Sequence, residues 1–147
     1  MNNNLNIRIS DSTINTFLDF LHRNDDLFSP KLSEQVNISD YVYKIFHHAI
    51  RYEAYINKTI VGTIVVYNNQ GNGFAFVTLV LCDKRYLHRG IITKLYKHVE
   101  KHLARNNVTE IELETQSSNL IAQKFYEKMG YNIIDRNITR IVYKKFL

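Results

Sequence analysis

The sequence predicts an α/β fold, with a mixed, mostly antiparallel central sheet of six to seven strands and helices on both faces. Three observations carry this prediction. Along the 147 residues, apolar positions recur at helical spacing, then at a period of two, then at helical spacing again. The run "FAFVTLVLC", Phe74 to Cys82, is apolar on both faces, as in a strand at the middle of a sheet covered on two sides. The elements run strand, two helices, three strands, helix, strand, helix and one or two final strands.

"NIRIS" (Asn6 to Ser10) is a short first strand. Asp11 or Ser12 caps a helix with Ile14, Phe17, Leu18 and Leu21 on one face. "RNDDLFSPKLSEQVN" is a polar connection holding the only proline, Pro30. Ser39 opens a second helix with Val42, Ile45, Phe46 and Ala49 on one stripe. Tyr52 to Ile56 and Thr59 to Tyr67 form a hairpin about Asn57-Lys58, and "NNQGNG" turns into the Phe74–Cys82 strand. A basic loop leads to a helix with Ile92, Leu95, Val99 and Leu103 inward. Thr109 to Thr115 is a strand; Asn119 to Gly130 is a helix with Ile121, Ala122, Phe125 and Met129 inward and Tyr126 on the shoulder of that face. Ile138 to Phe146 closes the chain as a strand. With no repeat or linker, residues 1–147 read as a single domain.

Composition narrows the function. With 45% hydrophobic and 22% charged residues the chain is globular, neither collagenous nor low-complexity. No apolar run is long enough to cross a bilayer, which argues against a membrane partner, and the first residues do not read as a signal peptide. One cysteine, Cys82, fits a reducing cytoplasm. In that compartment the glycosylation patterns at Asn37, Asn57, Asn107 and Asn137 are coincidence. The net charge of +5 is scattered, and the lack of a basic stripe argues against a nucleic-acid partner. A homodimer stays open.

"RYLHRGIITKLYKHVEKHL" (Arg85 to Leu103) places Gly90 between a central strand and a helix. The first N–H groups of such a helix lack partners within it, and the dipole adds positive charge, so an anion can settle there beside His88 and Arg89. Three other features lead nowhere. His98 and His102 share a helix face, but Glu100 is misplaced for a zinc protease and no third ligand is evident, so they read as exposed. Gly71-Asn72-Gly73 joins two strands and lacks a third glycine. Cys82 has no evident His–Asp partners for a nucleophile and reads as a buried or half-buried thiol.

Taken together, the basic "RGI" loop, the "IELET" strand and "NLIAQKFYEKMGY" resemble the GCN5-related N-acetyltransferases, the GNAT family. Asn119, Ala122, Phe125, Tyr126, Gly130 and Tyr131 all fall on that family's second signature. In its first, Gly90 matches the central glycine, while Leu87 stands where Gln or Arg is usual and Ile92 where Gly or Ala is usual. The resemblance implies an acyl-CoA N-acyltransferase fold and acetyl transfer from acetyl-CoA, as co-substrate, to an amine. It implies pyrophosphate binding by the amides of Arg89, Gly90, Ile91, Ile92 and Thr93, with His88 adjoining. It also implies a pantetheine arm along Leu79, Val80 and Leu81 with Asn119 in contact, an oxyanion held near Val80 or Leu81, and Tyr126 as the acid that protonates the leaving thiolate. An ordinary tyrosine, near pKa ~10, and a thiol near ~8.5 differ by only about 1.5.

For the general base, Glu112 and Glu114 share a strand face; Glu114 is the first choice, with Asp83, His47, His48 or a water chain as others. The acceptor is expected to be a small-molecule primary amine, an amino sugar or amino acid, held near Tyr41, Tyr43, His47 and Tyr52. No metal is expected. Two alternatives stand beside this: a catalytically degenerate GNAT-fold protein that binds a partner or acyl-CoA, and a nucleic-acid-binding module.

Overall fold

The structure, a computed structural model, describes residues 4–68 and 72–147. Gly71 and part of the "NNQGNG" turn lie outside the described residues. The elements are β1 (Leu5–Ile9), α1 (Ile14–Arg23), α2 (Leu32–Gln35), α3 (Ile38–His48), β2 (Ile50–Ile56), β3 (Thr59–Tyr67) and β4 (Phe74–Cys82). There follow α4 (Ile91–Arg105), β5 (Glu110–Gln116), α5 (Leu120–Lys128), β6 (Asn132–Arg136) and β7 (Arg140–Phe146). The seven strands form one sheet in the order β1-β2-β3-β4-β5-β7-β6. Only β4 and β5 run parallel; every other pairing is antiparallel, as predicted.

Each face of the sheet carries a core. Tyr52, Ile64, Ala75, Val77, Ile111 and Tyr143 pack under Leu95, Tyr96, Val99 and Leu103 of α4. On the other face Phe17, Phe20 and Leu21 of α1 and Val42 and Ile45 of α3 cover Ile60, Val65, Leu79 and Leu81. A bulge explains how one strand serves both. Leu79 pairs with Val65 and Val77 with Val66, so Thr78 is an extra residue. That residue inverts the alternation, and Leu79 and Leu81 face away from the side taken by Ala75 and Val77. The Tyr41 hydroxyl donates to the Thr78 carbonyl at 3.1 Å and holds the bulge. β6 has a bulge of its own: Ile133 pairs with Tyr143 and Asp135 with Val142, leaving Ile134 over.

The β4–β5 ladder is short. It joins Phe74 to Glu110, Ala75 to Ile111 and Phe76 to Glu112, and then stops. β3 follows β4 to Cys82, and β7 follows β5 to Gln116, so the two central strands part as each keeps its outer neighbour.

Several expectations are corrected here. The α1 cap is Thr13, which accepts from the Thr16 amide; the Asp11 and Ser12 amides instead donate to Glu53 Oε1 at 3.0 and 2.9 Å. Asn37, not Ser39, caps α3. The polar connection contains a 3-10 turn at Asp25–Leu27 and α2, anchored by buried Leu32. Ile138, expected in the last strand, is 93% exposed between β6 and β7. There Asn137 Oδ1 accepts the amides of Thr139 and Arg140. The asparagines of the glycosylation patterns thus serve the backbone: Asn37 caps, Asn137 closes a turn, and Asn57 and Asn107 take positive φ. On α5, Ala122, Phe125 and Met129 pack partly against the core as expected, but the buried residue is Tyr126, and Ile121 is 84% exposed. The first turn of α5 borders the gap between the strands, where Leu120 and Ile121 stay exposed and Ala122 reaches the core edge.

One ion pair ties the α1 side to the sheet. Arg51 Nε lies 3.1 Å from Glu53 Oε2, with both side chains buried. Glu53 also takes the Tyr55 hydroxyl, and the Arg51 guanidinium sits 3.6 Å over the Phe46 ring and donates to Ser12 O. Removing one member strands the other charge. Glu53→Gln is expected to lower unfolding free energy by about 3 kcal/mol in urea titration, and a loss below about 1 kcal/mol would contradict this role.

Candidate active site

Where β4 and β5 part, a cleft of about 930 Å³ opens. Val77 to Cys82 form one wall, and Leu113 to Gln116 with α5 form the other. Leu27, Phe28, Ser29 and Gln35, from the connection after α1, close a third side. The Gln116 side-chain amide donates to the Ser29 carbonyl at 2.9 Å and ties that connection to β5.

The loop after β4 is built around Asp83. Its side chain accepts the Arg85 amide at 2.9 Å and pairs with the guanidinium groups of Arg85 and Arg23 at 3.0 and 3.3 Å. Burial works against this carboxylate, but the hydrogen bonds from Arg85 and Arg23 overcome it and hold its carboxyl well below the usual range. Asp83 is therefore a clamp with little basicity, not a general base. His88 and Gly90 then take φ of 65° and 75°. A Cβ at Gly90 would meet nothing within 4 Å, so the left-handed backbone, not crowding, asks for glycine. The first bond of α4 runs from the Lys94 amide to the Gly90 carbonyl at 3.1 Å. The amides of Ile91, Ile92 and Thr93 precede it and emerge at the positive end of a 15-residue helix, on the cleft.

Tyr126 stands on the α5 wall, 6% exposed, its hydroxyl 2.8 Å from that of Tyr96. Burial pushes its pKa up to about 12, opposed by the Tyr96 hydrogen bond. The gap to a departing thiol thus widens to about 3.5. On β5, Thr115 is 8% exposed, and its hydroxyl has no hydrogen-bond partner among the described residues.

The cleft gathers most of the residues singled out from sequence: Leu79, Val80 and Leu81; His88 through Thr93; Asn119, Tyr126 and Glu114. Asn119 Oδ1 is committed to capping α5 through the Ala122 amide at 3.1 Å, and its backbone amide and carbonyl bond Gln116 and Gln123, so its NH₂ group is what it presents to a ligand. Ile92 lines the cleft while packing partly against the α4-side core, and Leu87 is 39% exposed. Glu114 is ion-paired with Arg140, and Glu112 lies 3.8 Å from Lys144.

The expected acceptor pocket does not assemble. Tyr52 is buried on the opposite face, its hydroxyl 2.7 Å from His102 Nδ1, so His102 is bonded to the core and not simply exposed. Tyr43 and His47 stack on each other at 4.1 Å on the outside of α3, and His48 is exposed there too. Neither histidine lines the cleft. Cys82 is half-buried, and burial raises its thiol to about 11, which leaves it un-ionised. Sequence reading missed Leu27, Phe28 and Ser29, Tyr41 as holder of the bulge, and Tyr96. The signal available for the bulge was Thr78, the sole polar residue in "FAFVTLVLC".

Comparison with known proteins decides the family. The profile described as "Acetyltransferase (GNAT) family" matches residues 18–131, most of the chain. The chain belongs to the GNAT acetyltransferases. Its domain is that of an acetyl-CoA-dependent acetyltransferase, with acetyl-CoA as co-substrate. It is 28% identical to N-alpha-acetyltransferase 30 of Schizosaccharomyces pombe over 99 residues, covering 63% of this chain and 66% of that protein. The human protein of that name is 28% identical over 120 residues, 78% of this chain but 32% of its own length. The chain thus spans less than two thirds of these relatives. The PaiA N-acetyltransferase of Thermoplasma acidophilum, solved with coenzyme A, shares the fold at TM-score 0.76 and 17% identity, covering 97% of this chain and 99% of that one.

The GNAT site fits its co-substrate on this chain's own terms: a left-handed Gly90, helix amides before the first α4 bond, a β4 edge without a ladder, and an orphaned Thr115 hydroxyl on the opposite wall. Gly90→Ala is expected to cost about 1 kcal/mol of stability and to weaken acetyl-CoA binding, read by melting and calorimetry. Unchanged affinity would remove the loop from the binding site. Burial also raises Tyr126 above its unfolded value near 10, so the native state keeps a proton that the unfolded chain releases. Stability is expected to fall as pH rises from about 10 toward 12; denaturant titrations with flat stability across that range would contradict the burial of this hydroxyl.

Proposed function

We propose that the protein, a single domain over residues 1–147, transfers an acetyl group from acetyl-CoA to a primary amine that enters beside Leu27, Phe28 and Ser29. The observation that carries this is the parting of β4 from β5 beyond Phe76, with helix amides at one end and Tyr126 on the wall. When bound, acetyl-CoA supplies an activated thioester. The amides from Arg89 to Thr93 bind its phosphates, and the freed edge of Leu79, Val80 and Leu81 binds its arm by strand-like hydrogen bonds. Asn119 adds an amide contact. Tyr126 delivers a proton to the sulfur, and Glu114, when Arg140 swings aside, accepts one from the amine. The half-buried, un-ionised Cys82 accords with a cytoplasmic setting.

Two acceptor classes have support. The polar lining from Ser29, Gln35 and Gln116 fits a small amine such as an amino sugar or amino acid. The relatives called N-alpha-acetyltransferase 30 support the α-amine of a polypeptide, and Leu27 and Ile121, 41% and 84% exposed on the cleft, offer apolar contact for a first side chain.

Free-thiol release with a panel of amino sugars, amino acids and short peptides separates the two classes, and release with none would favour a binding-only protein. Acetyl-CoA at about 100 times its dissociation constant is expected to stabilise the fold by about 2.7 kcal/mol. Tyr126→Phe is expected to lower kcat about 100-fold with KM for acetyl-CoA nearly unchanged, and full activity would take the acid role from Tyr126.

A further inference from the structure

Tyr96 and Tyr126 form a pair whose geometry goes beyond the acid role of Tyr126. Their hydroxyl oxygens are 2.8 Å apart and their rings meet edge to face at 89°. Tyr96 is fully buried on α4 and does not line the cleft, whereas Tyr126 does. Among the described residues this is the only hydrogen bond either hydroxyl makes.

Two arrangements of the protons are possible, and they differ in what they leave unsatisfied. If Tyr126 donated, its proton would point into the core and away from the cleft. The Tyr96 hydroxyl proton would then have no acceptor in a dry interior, a costly orphan. If Tyr96 donates, its proton is satisfied and that of Tyr126 is released toward the cleft.

We propose that Tyr96 is a positioning residue that donates its hydroxyl proton to Tyr126 Oη, aims the Tyr126 proton into the cleft, and stabilises the phenolate left after that proton moves to the sulfur. The step balances: the Tyr126 O–H bond breaks, an S–H bond forms on the departing thiolate, and Tyr126 is reprotonated from solvent once the thiol has left. Tyr96 itself never gives up its proton. Burial raises both hydroxyls, and the shared hydrogen bond works in the expected sense within that, opposing the rise at Tyr126 and adding to it at Tyr96. The proposal rests on the reading of Tyr126 as the acid, and the test separates the two.

The test is a double-mutant cycle on the full chain, read as kcat in single turnovers with excess enzyme so that slow backgrounds stay measurable. Tyr96→Phe is expected to lower kcat about tenfold, the worth of one hydrogen bond to a developing charge, with KM for acetyl-CoA unchanged. In the Tyr126→Phe background the same change is expected to cost nothing further. An equal loss in both backgrounds, or no loss in the native one, overturns the role of Tyr96 while Tyr126→Phe, still slow, upholds the acid. A fast Tyr126→Phe enzyme overturns both. Should Tyr96→Phe fail to fold in melting experiments, 3-fluorotyrosine at position 96, which keeps the ring and hydroxyl but donates more strongly, carries the same cycle: a kcat that changes in the native background and not in Tyr126→Phe upholds the role, and a kcat unchanged in both overturns it.

Discussion

After Phe76 the peptide groups of β4 that face β5 have no ladder, although they belong to the middle of a seven-stranded sheet. Backbone N–H and C=O groups at such a place cannot stay unmade at low cost. Each strand keeps its outer neighbour, β3 for β4 and β7 for β5, so neither can swing across to close the gap. The bulge at Thr78, pinned by Tyr41, turns the far half of β4 toward the α1 side and fixes the opening. What remains is a slot that an extended ligand rich in amides can fill, with the α4 N-terminus beside it. The cleft and the place of Tyr126 on its wall both descend from that one interrupted pairing.

Much of this was legible in the residues. The bounds of Phe74–Cys82 follow from its unbroken apolar run, and the Asn57-Lys58 hairpin follows from period and turn chemistry. The loop residues are local in sequence and come together as expected. What could not be read depends on partners far along the chain. Phe125 and Tyr126 are neighbours on one helix and both meet Tyr96 of another, but only Tyr126 is buried, among Tyr131 and, from distant parts of the chain, Tyr96 and Tyr143. Glu114 sits on the expected strand face, but its pairing with Arg140 depends on the register of β7. Tyr41 and Tyr52 both precede the hairpin or begin it, yet they lie on opposite sides of the sheet. The connection after α1 is polar, and polarity marks a loop without saying that the loop walls a cleft.

The aromatic cluster beneath α5 shows how stability and chemistry share one set of groups. Tyr96, Tyr126, Tyr131 and Tyr143 meet mostly edge to face with ring centres 5.5 to 6.2 Å apart. Tyr131 reaches Glu100, which Lys145 also holds, so the hydroxyl at that end is anchored by charge. Only Tyr126 turns a surface to the cleft. That bed of rings fixes the place of the one hydroxyl-bearing ring of the four that borders the cleft.

The sheet ends at β6, whose five residues are all exposed and include Ile133 and Ile134. A flat, greasy rim of that kind would invite another molecule to zip on and seed a fibre. The supernumerary Ile134 breaks the spacing of the outer peptide groups, and Asp135 and Arg136 put charge where a docking strand would need to lie flat. This edge strand is thereby a poor template for polymer growth, and the chain can carry two solvent-facing isoleucines there at little risk.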